Sequence, residues 1–304
     1  MFVSVLMPSF NYASVIGEAI ESVLAQTYTD LELIIADDGS QDGSWEVLQS
    51  YAERYPGKIK VTRHEGGRNA GIEATYKLAA SLAKGGLLAF LEADDLWQPD
   101  YLEKKTGFFR GFPQAGVVTS AYSLMGHPSG CFYWQIYQLT NRLSQRPRRP
   151  QNMFSLYLLR NPAASFSHFM IRAELFSRIP PQKDREVFYD WWVLAHASAF
   201  SDFVYAPERL SRWRIHTASA NFGPITYGRM LRLKTFMTHL YASLETLELP
   251  PGQRKILDKR RARMFDYLGF FEGRGLKVLA REPYYGSRFL CHIGLSHLLM
   301  GGTQ

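Results

Sequence analysis

Short apolar runs alternate with longer amphipathic stretches through the first third of the chain. Phe2–Met7 is almost wholly apolar and stops at Pro8, the pattern of a strand buried on both faces. Ile16, Ala19, Ile20, Val23 and Leu24 recur at helical spacing and predict a helix over about residues 13–27. Leu31–Ala36 reads as a second strand, and Asp42 as the N-cap of a helix carrying Trp45 and Leu48. Ile59–Thr62 is a third strand. The glycine-rich turn Gly66–Gly71 opens a helix to about Lys84, Leu87–Leu91 is a fourth strand, and Pro99 begins a helix to about Phe109.

Short apolar strands separated by helices imply an α/β fold, with a mostly parallel sheet covered by helices on both faces. Such sheets hold ligands outside the carboxyl ends of their strands. Asn11, Asp37, Asp38, Asp94 and Asp95 each follow a strand, so they are expected on one rim although they are far apart in sequence. Later the pattern loosens. A strand is expected over 115–124, an exposed loop over 141–152, a return to the sheet at Phe166–Ile171 and a helix at Val187–Phe200. Two long basic helices are expected over 226–248 and 254–281. This divides the chain into a domain over 1–222, with halves 1–112 and 113–222, and a helical extension over 223–304.

Composition narrows the picture. Apolar residues make up 46 % of 304, enough for a large core. The net charge of +7 is unevenly spread: residues 1–100 carry 7 Lys and Arg against 15 Asp and Glu, and the remainder carries 28 against 13. The basic part fits a phosphorylated substrate, nucleic acid or an anionic membrane. No nucleic-acid-binding pattern is present, so none is expected as a partner. Cys131 and Cys291 are too few and too distant for a disulfide framework. The N-terminus reads as a buried strand rather than a signal peptide, and no apolar run is long enough to span a membrane, so a cytoplasmic protein is expected.

The acidic pairs carry the candidate chemistry. A nucleotide-sugar has a diphosphate at its reacting end, and bond cleavage increases the charge there. A hard divalent cation held by carboxylates can balance that charge. Asp94 and Asp95 suit this role, with Asp95 as direct ligand and Asp94 nearer the ribose or metal waters. Taken alone, they equally fit solvated acids capping the helix after Pro99. Asp37 or Asp38 could accept a hydrogen bond from a base N–H or ribose, or simply form an Asp-Gly turn. Asn11 would border the same pocket, and the glycine-rich turn could bring Arg68 to phosphate. The turn is not a dinucleotide fingerprint, and there is no phosphate-loop pattern.

In order along the chain, Val3-Ser-Val-Leu-Met-Pro-Ser-Phe-Asn-Tyr, Ala25-Gln-Thr-Tyr, Leu33-Ile-Ile-Ala-Asp-Asp-Gly-Ser, Arg68-Asn-Ala-Gly and Phe90-Leu-Glu-Ala-Asp-Asp-Leu-Trp-Gln-Pro-Asp resemble the family 2 glycosyltransferases. The resemblance implies a GT-A fold and inverting sugar transfer with Mn²⁺ or Mg²⁺, of the kind used for bacterial cell-surface polysaccharides. It places Pro8, Ser9 and Asn11 in the nucleotide-side loop, Asp38 at the base with Asp37 beside it, and Asp94 and Asp95 in the metal element. Glu92 stands where many members have Asp. Asp190 is left as the base, with Tyr189 replacing the family's first acid. Arg212-Trp-Arg214-Ile-His216 resembles a segment that closes over diphosphate or metal.

The mechanism implied is a single displacement. The acceptor hydroxyl gives its proton to Asp190, while the metal, with Arg214 or His216, steadies the leaving diphosphate. A UDP-sugar is the favoured donor, with dTDP- or GDP-sugars as alternatives, and the acceptor is a saccharide or lipid-linked saccharide. Tyr189, Trp191 and Trp192 are candidates for an acceptor platform, at least one of them belonging to the core. The basic helices suggest peripheral contact with the inner face of the membrane, or a homodimer contact. The rival readings are a nucleotidyltransferase or pyrophosphorylase acting on sugar phosphate, and a non-catalytic basic binding protein.

Overall fold

The structure is a computed structural model and describes residues 1–127, 131, 135, 145–182, 188–216 and 227–270; of 227–230 and 262–270 it describes the backbone. Strands β1 (Val3–Ser9), β2 (Leu31–Asp37), β3 (Ile59–Arg63) and β4 (Leu87–Phe90) alternate with helices α1 (Ile16–Leu24), α2 (Ser44–Arg54) and α3 (Ile72–Ser81). The two-residue β5 (Leu96–Trp97), α4 (Tyr101–Gly111) and β6 (Ala115–Gly126) follow. Next come α5 (Phe154–Tyr157), β7 (Phe169–Arg172), α6 (Ala173–Ser177), α7 (Tyr189–Phe200) and β8 (Asp202–Ile215). The described chain closes with α8 (Tyr227–Glu245) and α9 (Pro251–Phe270).

The strands form one sheet in the order β3-β2-β1-β4-β7-β6-β8-β5. Alternation along each strand sends neighbouring side chains to opposite faces. Val3, Val5 and Met7 of β1 pack with α1, α2 and α4, whereas Leu6 packs with α3, α7 and α8 on the other face. This two-sided burial explains why these strands read as unbroken apolar runs. The leading four strands pair in parallel, but β7 enters antiparallel to both β4 and β6, and β5 runs antiparallel to β8. The sheet is therefore mixed: its front four strands are parallel, and in the rear half the long β6–β8 pair is parallel as well.

Several boundaries differ from those read in the sequence. Gly43, at φ +91°, occupies the N-cap of α2. Asp42 sits one residue earlier, and its Oδ1 accepts the Ser44 amide at 3.0 Å. The loop expected to be exposed over 141–152 is partly built in, because Gln145 is buried and Pro147 and Gln151 bridge to Tyr205 and Phe203 of β8. Residues 141–144, 217–226 and 271–304, including Cys291, the apolar stretch Phe289–Met300 and the expected 222/223 boundary, lie outside the described residues.

Two features set up the rim. Residues 91–95 lead from β4, in the middle of the sheet, to β5 at its far edge, crossing the strand ends between them. Helix α7 is buried nearly all round, from Trp191 to Ala199. Helix α8 covers it: Phe236 packs on Trp191, His196 Nε2 lies 2.9 Å from Ser243 Oγ, and the Tyr241 hydroxyl donates to Leu158 O at 3.0 Å. The first basic helix thus shares the core of the sheet domain.

Candidate active site

The nucleoside-side acids are held by the backbone. Asp37 is fully buried, and its Oδ2 accepts the Gly39 and Ser40 amides, both at 3.1 Å, and Arg63 Nη2 at 3.0 Å. Asp38 Oδ1 accepts the Ala70 amide at 2.6 Å, and its Oδ2 accepts that of Gly71 at 3.0 Å. Asp38 therefore fastens the glycine-rich turn to the end of β2. Gly39 permits that approach, since it sits at φ +83° and a Cβ there would lie 2.5 Å from Gly67 O. Pro8 and Ser9 end β1 beneath this turn, and Ser9 O accepts the Asp38 amide at 2.8 Å. Asn11, at φ +60°, accepts the Gln41 amide through Oδ1 at 2.9 Å, while Arg68 is exposed.

The second acidic group gathers after β4. Asp95 is fully buried; its Oδ1 accepts the Arg214 amide at 2.9 Å, the Ser167 hydroxyl also favours its charged form, and its Oδ2 has no partner in hydrogen-bond geometry among the described residues. Asp94 Oδ2 lies 3.0 Å from His216 Nε2. The Arg214 guanidinium donates through Nε to Asp94 O at 2.8 Å and through Nη2 to Glu18 Oε2 at 2.7 Å. Tyr76 donates to Glu92 Oε1 at 2.8 Å. Asp190, whose charge acts on both Glu92 and Tyr76, accepts Asn161 Nδ2 through Oδ2 at 2.6 Å.

Burial and crowding raise Glu92, Asp95 and Asp190 above the usual carboxylate range. Burial, and then the charge of Asp94, push Glu92 up to about 8 and hold Asp95 well above the usual carboxylate range. Burial pushes Asp190 up to about 7, against hydrogen bonds from the Trp191 amide and Asn161. Folded-state values above the unfolded ones mean that the folded chain binds protons the unfolded chain has released. That stabilisation is complete below the unfolded values near 4 and is lost as pH rises through about 7 and 8. Thermal scans without metal should show the melting temperature falling by about 5 °C from pH 5 to 8. The paired substitution Glu92→Gln and Asp190→Asn should flatten the slope; an unchanged slope would assign it to other groups.

A cation would relieve the same crowding. Asp95 Oδ2, without a hydrogen-bond partner among the described residues, and the adjoining Asp94 carboxylate and His216 imidazole are hard oxygen and borderline nitrogen donors suited to Mn²⁺, the carboxylates also to Mg²⁺. Among the described residues, no three such side chains already stand in ligand geometry. The fit therefore rests on charge and donor type.

The aromatic residues around Asp190 lie elsewhere than expected for an acceptor platform. Trp191 and Trp192 are buried, with indole N–H groups donating to Tyr157 O at 2.6 Å and Pro180 O at 2.8 Å. Tyr189 is buried between Tyr76 and Phe166. A carboxylate at 189 would be enclosed by these rings, which gives a physical reason why tyrosine suits the position. The sequence reading also passed over Tyr12, Tyr76 and Glu18. Tyr12 is placed beside the second acidic group: burial and the charge of Asp94 raise its hydroxyl well above the usual range, while its amide donates to Ser44 Oγ at 2.9 Å. Its place in the quoted Ser-Phe-Asn-Tyr motif was the available signal.

A mixed sheet with acids along one rim defines the GT-A class of nucleotide-sugar folds. The crystal structure of S. aureus TarS 1-349 in complex with UDP-GlcNAc aligns with 88 % of this chain and 73 % of its own, at a TM-score of 0.61 and 16 % identity. The mannosyltransferase PcManGT from Pyrobaculum calidifontis, in complex with GDP-Man and Mn²⁺, aligns with 99 % of this chain and 88 % of its own, at 0.58 and 17 %. These likenesses establish the fold. The profile of Glycosyl transferase family 2 matches residues 4–179, and the chain belongs to that family. An uncharacterized glycosyltransferase of Nostoc sp. is 30 % identical over 225 residues, 72 % of this chain. The chain spans 66 % of that relative, just under two thirds.

Proposed function

We propose that the protein transfers a sugar from a nucleoside-diphosphate donor to a hydroxyl of a saccharide or lipid-linked saccharide, with inversion. The observation that carries this reading is the buried Asp95 carboxylate, one oxygen of which lacks a hydrogen-bond partner among the described residues, at the strand-end rim of a family 2 fold. The residues present suit a divalent ion, with Asp95, Asp94 and His216 as the groups to hold it. When bound, the ion supplies charge that balances the departing diphosphate.

The chain's own groups divide the remaining work. Asp37 and Asp38, with Pro8, Ser9 and Asn11, shape the nucleoside end, and Arg68 lies on the turn next to it. Asp190 accepts the proton of the attacking hydroxyl. A group raised to about 7 is half ionised near neutral pH and so suited to that task. Arg214 braces the rim through Asp94 and Glu18, and reaches the diphosphate only by giving up the exposed contact to Glu18. Trp191 and Trp192 support Asp190 from the core, and Tyr189 packs beside it.

A UDP-sugar is the favoured donor, with GDP- or dTDP-sugars as alternatives; TarS binds UDP-GlcNAc and PcManGT binds GDP-Man and Mn²⁺. Peripheral attachment to the inner face of an anionic membrane through α8 and α9, or pairing of two copies there, accords with the exposed Leu231, Lys255 and Lys259. No helix among the described residues is long and apolar enough to cross a membrane.

The test is nucleoside diphosphate binding by calorimetry. UDP and GDP should each be offered with and without Mn²⁺, followed by diphosphate release from UDP-GlcNAc and GDP-mannose. Binding to one of them should tighten by about tenfold or more with Mn²⁺. Pyrophosphate-dependent formation of sugar phosphate, with no release of nucleoside diphosphate, would favour a pyrophosphorylase instead.

A further inference from the structure

Residues 161–168 connect two parts of the site that are distant in sequence. Asn161 is 8 % exposed, and its two amide atoms point to different tasks. Nδ2 donates to Asp190 Oδ2 at 2.6 Å, while Oδ1 accepts the Ala163 and Ala164 amides at 3.1 and 3.4 Å. Ala164 takes φ +69°, a left-handed conformation costly for a residue with a Cβ. The turn is locked from its other side by His168, whose Nδ1 lies 2.7 Å from Ala163 O. Burial lowers that ring to about 3, so it is neutral and donates from Nδ1 to the carbonyl.

The far end of the loop grips the acidic rim. Ser165 Oγ caps the Ser167 amide at 3.2 Å, and Ser167 Oγ accepts the Glu92 amide at 3.0 Å. Ser167 O accepts Trp97 Nε1 at 3.0 Å, and His168 O accepts the buried Lys105 Nζ at 2.7 Å. The segment from Glu92 to Trp97, which contains both metal-side acids, is thus held at each end by the loop that holds Asp190. The site requires a fixed span between the base and the donor carbon, and this loop is a rigid element touching both sides.

We propose that Asn161 is the positioning residue for Asp190, and that the Asn161–His168 loop sets the spacing between the base and the acidic rim. The proposal rests on reading Asp190 as the base. It deepens that reading by assigning the aim of the carboxylate to its one side-chain amide donor, which favours the charged form beside the Trp191 backbone amide. Asn161 Nδ2–H favours the charged form of Asp190, so its removal makes Asp190 harder to ionise. The other titratable groups that sense Asp190 are Glu92 on the rim and Tyr76 on α3; their contact with each other is independent of Asn161.

The test uses the full chain with Asn161→Ser and Asn161→Ala. A serine hydroxyl can still accept the Ala163 amide and so support the turn, but is too short to reach Asp190 as the amide does. The ionisation of Asp190 is read directly by carbon NMR of carboxyl-labelled aspartate, with the resonance assigned by its loss in Asp190→Asn. Diphosphate release is read from whichever of UDP-GlcNAc and GDP-mannose turns over with Mn²⁺. The Asp190 midpoint should rise by about one pH unit in Asn161→Ser. Release should then fall about fivefold at pH 7 and recover substantially by pH 9, with the KM for donor unchanged. A midpoint left at the parent value in folded Asn161→Ser overturns the proposal, as does a loss of activity equal at every pH, which marks a merely structural residue. If Asp190→Asn releases diphosphate as fast as the parent, the base reading itself fails, and the midpoint still reports separately on the hydrogen bond.

Discussion

Asp95→Asn folds, melts at or above the parent temperature in the absence of metal, and loses about a thousandfold in metal-dependent diphosphate release. This outcome follows from the geometry. Asparagine keeps the Oδ1 that accepts the Arg214 amide and removes a charge that burial and Asp94 oppose. What it loses is the second oxygen, the one without a hydrogen-bond partner among the described residues. Calorimetry with UDP or GDP and Mn²⁺, beside a thermal scan, separates the two effects: the metal-dependent increment in affinity should vanish while the fold persists. Full donor affinity and full metal-dependent turnover in this variant would falsify the assignment of the rim.

Asp190→Asn has the second large effect. It should lose about three orders of magnitude in kcat while binding nucleoside diphosphate and metal as the parent does. The contrast with Asp95→Asn is the informative part. Asp190 lies on α7, held by Asn161, apart from the acids after β4 that are expected to hold the diphosphate. A variant that weakened donor binding as much as turnover would place Asp190 on the donor side and leave the proton without an acceptor.

The front of the molecule was legible because its physics is local. Strands β1, β2 and β4 are buried on both faces and read as apolar runs, and the polar residues after them could fall only at their carboxyl ends. Strand β8 was not legible. Its alternation is broken at Pro207 and Glu208, where the register against β6 shifts between Ser120 and Tyr122. Strand β5 has two residues and exists only because Leu96 and Trp97 pair with Arg212 and Ser211. Asp38 was legible as a site residue, but its grip on Ala70 and Gly71 depends on a turn that sequence spacing does not locate. The pairing of Asn161 with Asp190 was not legible, because Asn161 precedes a proline in a loop and its partner is 29 positions away. Trp191 and Trp192 were ambiguous because an indole suits a sugar face and a core equally, and α8 decides the matter by covering them.

The inward placement of Trp191 and Trp192 changes how this protein can diversify. Residues that choose an acceptor must be free to vary, whereas these indoles each anchor a carbonyl and share a core with α8. Exchanging them would unsettle the body of the molecule before it altered preference. A library aimed at new acceptors should leave the α7 tryptophans fixed and randomise solvent-facing positions around the acidic rim. Chemistry and selectivity would then be inherited from separate parts of the chain, so that one can drift while the other is conserved.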